Sequence, residues 1–286
     1  MNARRPSQTS VMVAFLRALA HDGLTGVPSF SDPTARKLLP FPWSTLHAGI
    51  RRATRRLEPE KARRRFSPLV DILPLRTLHI DEELAEAVAR GCRQLVILGA
   101  GLDGRAHRLP GLAGVTVFEV DHPATQADKR VRARGLPLVA HRLTYVPVDF
   151  EHERLAQRLR EAGFDPSAPT VWIWEGVTMY LTDAAIAATL ADVSGLSAPG
   201  SRLVVNYREP GEVTAAERPM RWWFTGRVKE PQIGDRSRDT MTREVETAGL
   251  KVLRDSGGGD WAARYGAPEP TVPTLLRTRN MVAEKP

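Results

Sequence analysis

The chain has 286 residues, 42% of them hydrophobic and 26% charged, a globular balance that excludes a disordered chain and suits one α/β domain with an appendage. Its single cysteine, Cys92, excludes an internal disulfide, and no stretch approaches the roughly 18 apolar residues of a membrane span, so a cytoplasmic location is expected. The net charge of +8 is compatible with nucleic acid, a membrane surface or an acidic small substrate, but its densest part, Arg51 to Arg65, carries no RNA-module signature and reads as a solvated helix face.

The first 75 residues read as helices with proline-rich joints. The N-terminal apolar run is broken by Arg17 and followed by no convincing cleavage site, so Val11 to Ala20 is expected as an amphipathic helix, not a signal peptide. FSDPTARKLLPFPW, Phe30 to Trp43, predicts a turn, a short helix and a break at Pro40 and Pro42. Asp81 to Arg90 predicts an amphipathic helix with Leu84, Ala87 and Val88 on one side. Thereafter short apolar runs alternate with helical segments. QLVILGAG, VTVFEVD, LTYVPVDF, VWIWEG and SRLVVNY are five strands. Helices over Ala124 to Arg134, Glu151 to Ala162 and Asp183 to Leu196 fit between them, which indicates a parallel sheet covered on both faces. Thr240 to Ala248 is a further helix capped by Gly249, followed by strands LKVLRDSG and TLLRTRNMVA. A glycine-rich loop joins these two without a helix, so they are expected to form an antiparallel hairpin.

The expected fold is therefore α/β: a doubly wound, seven-stranded, mostly parallel sheet with an antiparallel last strand, the class I methyltransferase architecture. Residues 1–75 form an N-terminal helical cap or lid, and residues 76–286 form the cofactor-binding domain. The segment 208–231 is too long for a plain loop and reads as an inserted lid. It brings Trp222, Trp223 and Phe224 together with several arginines, Arg208 among them.

The sharpest local signal is Gly99-Ala100-Gly101-Leu102-Asp103-Gly104, directly after the first strand. Glycine allows a tight turn and close approach of a ligand. About 20 residues on, Glu119 and Asp121 end the next strand, where a carboxylate can accept from ribose hydroxyls. Asp121 is preferred because the ligand crevice lies at the carboxyl ends of the strands. The glycine pattern also describes nicotinamide and flavin proteins. Three features favour S-adenosylmethionine instead: the helical preface, a second acid at Asp149 ending the third strand, and the terminal hairpin.

QLVILGAGLDGRAHRL, FEVDHPATQADKR, VPVDFE and WEGVTMYL resemble the leucine carboxyl methyltransferase family, strongly over residues 76–210 and weakly through FSDPTARKLL and RTLHID. Two departures from the family pattern are Gly104, where threonine is usual, and Thr34, where an aromatic is usual. The resemblance implies a donor site for S-adenosylmethionine, released as S-adenosylhomocysteine. In it Arg76 meets the methionine carboxylate and Glu175 the methionine amino group. Gly99 and Gly101 pass beneath the methionine and ribose. Asp121 holds the ribose, and Asp149 and Phe150 take the adenine. Tyr180 lies in the same crevice and is the candidate for contact with the reacting groups. Family members act on a protein C-terminal carboxylate or on polyketides and other small metabolites.

For the acceptor, an acidic or aromatic small molecule held by Arg208, Trp222 and Trp223 is expected, with a carboxylate favoured over a hydroxyl. A carboxylate is ionised at neutral pH and needs no base, whereas a hydroxyl usually does. No histidine follows His152, although His21, His47 and His79 could still reach the site. No metal-ligand spacing stands out, so metal-independent chemistry is expected. A nicotinamide oxidoreductase and a nonenzymatic cofactor-binding module are the competing readings.

Overall fold

A computed structural model describes residues 7–150, 152–211, 234–270, 272 and 276–286. Trp222, Trp223 and nearly all of the expected inserted lid lie outside the described residues. Among the described residues, no helix is long and apolar enough to cross a membrane.

Helix α1 spans Gln8–Leu19 and starts where the Ser7 hydroxyl accepts from the Ser10 backbone N–H at 3.2 Å, a side-chain N-cap. After the proline break come α2 (Trp43–Thr54) and α3 (Pro59–Val70). The helix expected from Asp81 is the second half of a longer one, α4 (Ile72–Ala89). Pro74 falls in its first turn, where the missing N–H costs nothing, and the helix runs unbroken across residues 75 and 76.

The sheet comprises β1 (Gln94–Leu98), β2 (Thr116–Asp121), β3 (Arg142–Pro147), β4 (Thr170–Trp174), β5 (Arg202–Arg208), β6 (Lys251–Gly257) and β7 (Thr278–Glu284). Their spatial order is β3-β2-β1-β4-β5-β7-β6. Strands β1 to β5 are parallel, and β7 runs antiparallel to both β5 and β6. Every residue of β1 and β4 is buried, as parallel strands covered on both faces require. On one face Val96, Leu98, Trp172 and Trp174 join a core with Ile186, Met241 and Val245. On the other, Leu95, Ile97, Val171 and Ile173 pack with Ile80 and Leu84 of α4. A third cluster ties α1 to the sheet domain through Phe15, Leu19, Leu75 and Trp261.

The intervening helices are α5 (Arg105–Arg108), α6 (Pro123–Ala133), α7 (Leu155–Glu161), α8 (Asp183–Gly195) and α9 (Arg238–Thr247). Helix α7 starts later than expected, because the chain first turns at Asp149, whose backbone N–H donates to the Glu153 carboxylate at 2.9 Å.

One expectation needs correction. A helix, α10 (Gly258–Tyr265), stands between β6 and β7, so the last two strands are antiparallel but not joined by a simple loop. Its glycines hide the helical pattern, yet its ends carry ordinary signals. Asp260 accepts from the Gly257 backbone N–H at 2.8 Å, and Gly266 closes the helix at φ +62°. Burial of Trp261, 5.5 Å from the His79 ring of α4, secures it.

The chain leaves β1 toward β2 and β3 on one side and returns through β4 and β5 on the other. This reversal opens a crevice at the carboxyl ends of β1 and β4.

Candidate active site

A cavity of about 290 Å³ fills that crevice. It brings together Arg76, Gly99, Gly101, Asp121, Asp149, Phe150, Glu175 and Tyr180 from five separate segments of the chain. The floor is the turn after β1. Gly99 and Gly101 have φ +67° and +47°, a region that side chains rarely adopt. A Cβ on Gly99 would overlap Val177, and one on Gly101 would lie 2.8 Å from Ser10 Cβ in α1. The glycines therefore serve two ends: they make the turn, and they let β4's following loop and the N-terminal helix close against it.

Asp121 ends β2 with both carboxylate oxygens held. Oδ2 accepts from the Gly101 backbone N–H at 2.5 Å and Oδ1 from that of His122 at 2.6 Å. Burial pushes its pKa up, and those two N–H groups offset part of the rise. Each oxygen keeps a lone pair that can accept from a ligand. Glu119, two residues earlier, has a different task. It pairs with Lys129 of α6 at 2.6 Å, both side chains 1% exposed, and does not line the cavity. Asp149 and Phe150 follow β3 on the same side as His122, whose Nε2 is 3.9 Å from Asp149 Oδ2.

At the other end, Arg76 Nε donates to Glu175 Oε1 at 2.8 Å, and Nη1 approaches Asn206 Oδ1 at 3.5 Å. The remaining nitrogen, Nη2, makes no hydrogen bond among the described residues. Burial alone would raise the Glu175 pKa, but Arg105 and Arg76 outweigh it and hold the carboxyl below its ordinary range.

Two groups went unnoticed in the sequence. Arg105 is fully buried and joins three carboxylates: Asp81 at 2.7 Å, Glu175 at 2.9 Å, and Asp103. Arg108, beside it, reaches Asp81 at 2.6 Å and Asp32 at 3.8 Å, and Arg17 of α1 reaches Asp32 at 3.5 Å while donating to the Leu102 carbonyl at 2.7 Å. This network clamps the glycine turn between α1 and α4. The available signal was an Asp in the turn, and an Arg just after it, behind a strand whose last four residues are apolar. Asn206 is the second group. It is fully buried on β5, donates to the Arg279 carbonyl at 2.9 Å and Asn280 Oδ1 at 3.0 Å, and accepts from the Gly176 backbone N–H at 3.2 Å. Those two acceptors fix its amide orientation, so Oδ1 must face Gly176 and Arg76.

The two departures from the family pattern are neighbours. A Cβ on Gly104 would overlap Thr34 Oγ1, and that hydroxyl is spent on Asp32 Oδ1 at 2.5 Å. Thr34 thus occupies the space that a side chain at position 104 would need.

Tyr180 lines the cavity with its hydroxyl 3.5 Å from Thr9 Oγ1. Arg208 does not line it. The chain returning past residue 234 runs beside the end of β5, with Arg236 N donating to the Arg208 carbonyl at 2.9 Å, and this sets Asp235 on the Arg208 guanidinium at 2.5 Å. Trp222 and Trp223, the other expected acceptor residues, fall outside the described residues.

A model of the family described as leucine carboxyl methyltransferase matches residues 10–194. A Mycobacterium marinum protein named as an S-adenosyl-L-methionine-dependent methyltransferase is 39% identical over 221 residues, which covers 75% of this chain and 70% of that protein. A Mycolicibacterium paratuberculosis protein of the same name is 35% identical over 250 residues, 84% of this chain and 75% of its own. Among solved structures, a Thermobifida fusca protein described as a methyltransferase aligns with TM-score 0.55 at 16% identity, over 98% of this chain and 95% of that one. A DUF574 family protein from Streptomyces avermitilis aligns with TM-score 0.58 at 16% identity, over 94% and 97%. At such identities the likeness is one of fold.

Proposed function

The chain belongs to the leucine carboxyl methyltransferase family and is an S-adenosyl-L-methionine-dependent methyltransferase, and from that premise we propose that it methylates an oxygen of an acidic small molecule, a carboxylate in preference to a hydroxyl.

The cavity suits the donor. Asp121 retains acceptor capacity on both oxygens for a ribose diol. Arg76 keeps Nη2 for the methionine carboxylate, Glu175 can accept from the amino group, and the bare glycine turn leaves room between them. In this reading Asp149 and Phe150 take the adenine by hydrogen bond and packing. S-adenosyl-L-methionine supplies a methyl group already activated on a sulfonium. The protein's own contribution is then orientation of the acceptor and exclusion of water.

The observation that carries the acceptor class is the part of the lining where α1 meets the segment after β4. Thr9, Ser10 and Val13 come together there with Met179, Tyr180 and Leu181, the Tyr180 hydroxyl 3.5 Å from Thr9 Oγ1, and Tyr180 is the one titratable group among these six. His122 and His152 also line the cavity, but they follow β2 and β3, beside the acids assigned to ribose and adenine. An ionised carboxylate reacts without a base, so such a lining suffices for it. Among these six residues, only Tyr180 could take the proton of a hydroxyl acceptor.

Product chemistry tests this. The protein is incubated with methyl-labelled donor and candidate acids, and the product is treated with mild alkali. A methyl ester releases labelled methanol. A labelled product stable to alkali refutes the carboxylate assignment and leaves the methyltransferase standing. The pH profile gives a second reading: the chemical step should be flat from about pH 6 to about pH 8 for a carboxylate, and should rise with pH for a hydroxyl deprotonated by Tyr180.

A further inference from the structure

The two helices behind α1 carry a charge that the cavity does not use. Residues 41–70 hold seven arginines and Lys61 against only Glu58 and Glu60, which is six of the chain's eight net positive charges. Glu60 pairs with Arg63 and Arg64, and Glu58 with Lys61 at 3.0 Å. Arg52, Arg55, Arg56 and Arg65 are exposed and have no ion-pair partner among the described residues.

The same stretch also displays apolar side chains. Phe41 is 83% exposed, Leu46 52%, Leu57 46% and Leu69 40%; these are four of the seven large apolar side chains that the described residues expose. Leu46 and Leu69 sit on α2 and α3, while Phe41 and Leu57 sit in the connections that precede these helices. Helix α2 turns Trp43 and His47 inward onto Phe15 of α1, with the Phe15 and Trp43 rings 5.1 Å apart, and leaves Leu46 and Arg52 exposed; Arg56 is exposed just past its end. Helix α3 buries Ala62 and Val70 and sets Lys61, Arg65 and Leu69, four residues apart, along its outer side. A face meant only for water would have no use for Phe41 and three leucines.

We propose that this face docks on an anionic lipid bilayer. The guanidiniums bind lipid phosphates, for which their planar fork is well shaped, while Phe41 and the leucines enter the boundary between headgroups and acyl chains. Exposed leucines distinguish this partner from nucleic acid, whose phosphate backbone gives aliphatic side chains nothing to bury against. The docking is peripheral and reversible, and it is independent of the acceptor assigned above.

The test uses the full chain and vesicle co-sedimentation. Vesicles of phosphatidylcholine alone are compared with vesicles containing about a third phosphatidylglycerol, at low and high salt. Binding should appear only with the anionic lipid and weaken as salt screens the charges. Each basic residue near an anionic surface is worth roughly fivefold in affinity, so the variant Arg52→Glu/Arg55→Glu/Arg56→Glu should bind at least about a hundredfold more weakly. Phe41→Ser/Leu57→Ser leaves the charge intact and should still lose about tenfold or more, since two apolar side chains no longer enter the membrane. Unchanged S-adenosylhomocysteine affinity certifies that both variants are folded. Three results overturn the proposal: no binding to anionic vesicles at low salt, equal binding to neutral vesicles, or full binding by Phe41→Ser/Leu57→Ser. Tighter binding to an RNA or DNA duplex than to the anionic vesicles would overturn it as well.

Discussion

Replacing Asp121 by asparagine separates the proposed ligand role of this carboxylate from its role in the turn. The wild-type side chain accepts from Gly101 at 2.5 Å and from His122 at 2.6 Å with different oxygens. An amide has one acceptor oxygen, so Asp121→Asn leaves one of these N–H groups unpaired, at a cost in stability of about 1–3 kcal/mol. For the ligand, hydrogen bonds to a charged acceptor are worth about 1.5–3 kcal/mol each, against about 1 kcal/mol for a neutral one. The amide can accept from one ribose hydroxyl and donate to the other, in each case only as a neutral partner. The loss is therefore about 0.5–2 kcal/mol per hydrogen bond, about 1–4 kcal/mol in all, which raises the S-adenosylhomocysteine Kd by about 5- to 1,000-fold. Titration calorimetry measures it directly. The pH dependence supplies an internal check. Because burial raises the Asp121 pKa, wild-type affinity should decline as pH falls toward that raised value, before ordinary aspartates protonate, and this dependence should vanish in Asp121→Asn. Glu119→Gln is the control, since Glu119 is spent on Lys129 away from the cavity; it should lower stability and leave the Kd of the folded protein alone. An unchanged Kd in folded Asp121→Asn would refute the assignment.

Arg76→Lys keeps the charge but loses the fork between Glu175 and the cavity, so S-adenosylhomocysteine should bind more weakly by about 1–2 kcal/mol; calorimetric affinity equal to wild type would mean that the guanidinium is structural. Arg105→Met strands three carboxylates in the buried network, and urea unfolding should register a loss of about 3–5 kcal/mol. Asp32, Asp103 and Glu175 also shape the acid limb of stability. Burial opposes their ionisation, yet Arg17 and Arg108 at Asp32, Arg105 and Lys129 at Asp103, and Arg105 and Arg76 at Glu175 outweigh it and hold all three pKa values below the ordinary range. Their contribution is therefore complete above the unfolded values near pH 4 and is lost as pH falls through the lower folded ones. Urea midpoints should fall once pH drops below about 4, and a midpoint that keeps rising there would contradict the ion-pair reading; the raised Asp121 and Glu119 carboxyls act in the opposite sense at higher pH.

The repeating part of the fold was legible from residue order alone. Apolar runs such as Leu95 to Leu98 and Val171 to Trp174 read as strands buried on both faces, and helical segments between them impose parallel crossovers. The glycine turn and the acid at the end of β2 were legible for the same reason, since backbone conformation and strand polarity are local properties. Helix α10 was not, because glycines lower intrinsic helicity and the helix exists through Trp261 packing on α4, a contact between residues far apart in sequence. Tertiary structure supplied the task of the other acid. Glu119 shares a face with Asp121 by strand period but stops two residues short of the carboxyl end, and Lys129 in the next helix takes it up. Arg105 and Asn206 gain their positions in the same way: a buried polar side chain must find partners, and its partners here come from α4, β4 and β7. Periodicity and turn chemistry are encoded over a few residues, whereas the pairing of buried charge depends on the segments that folding brings together.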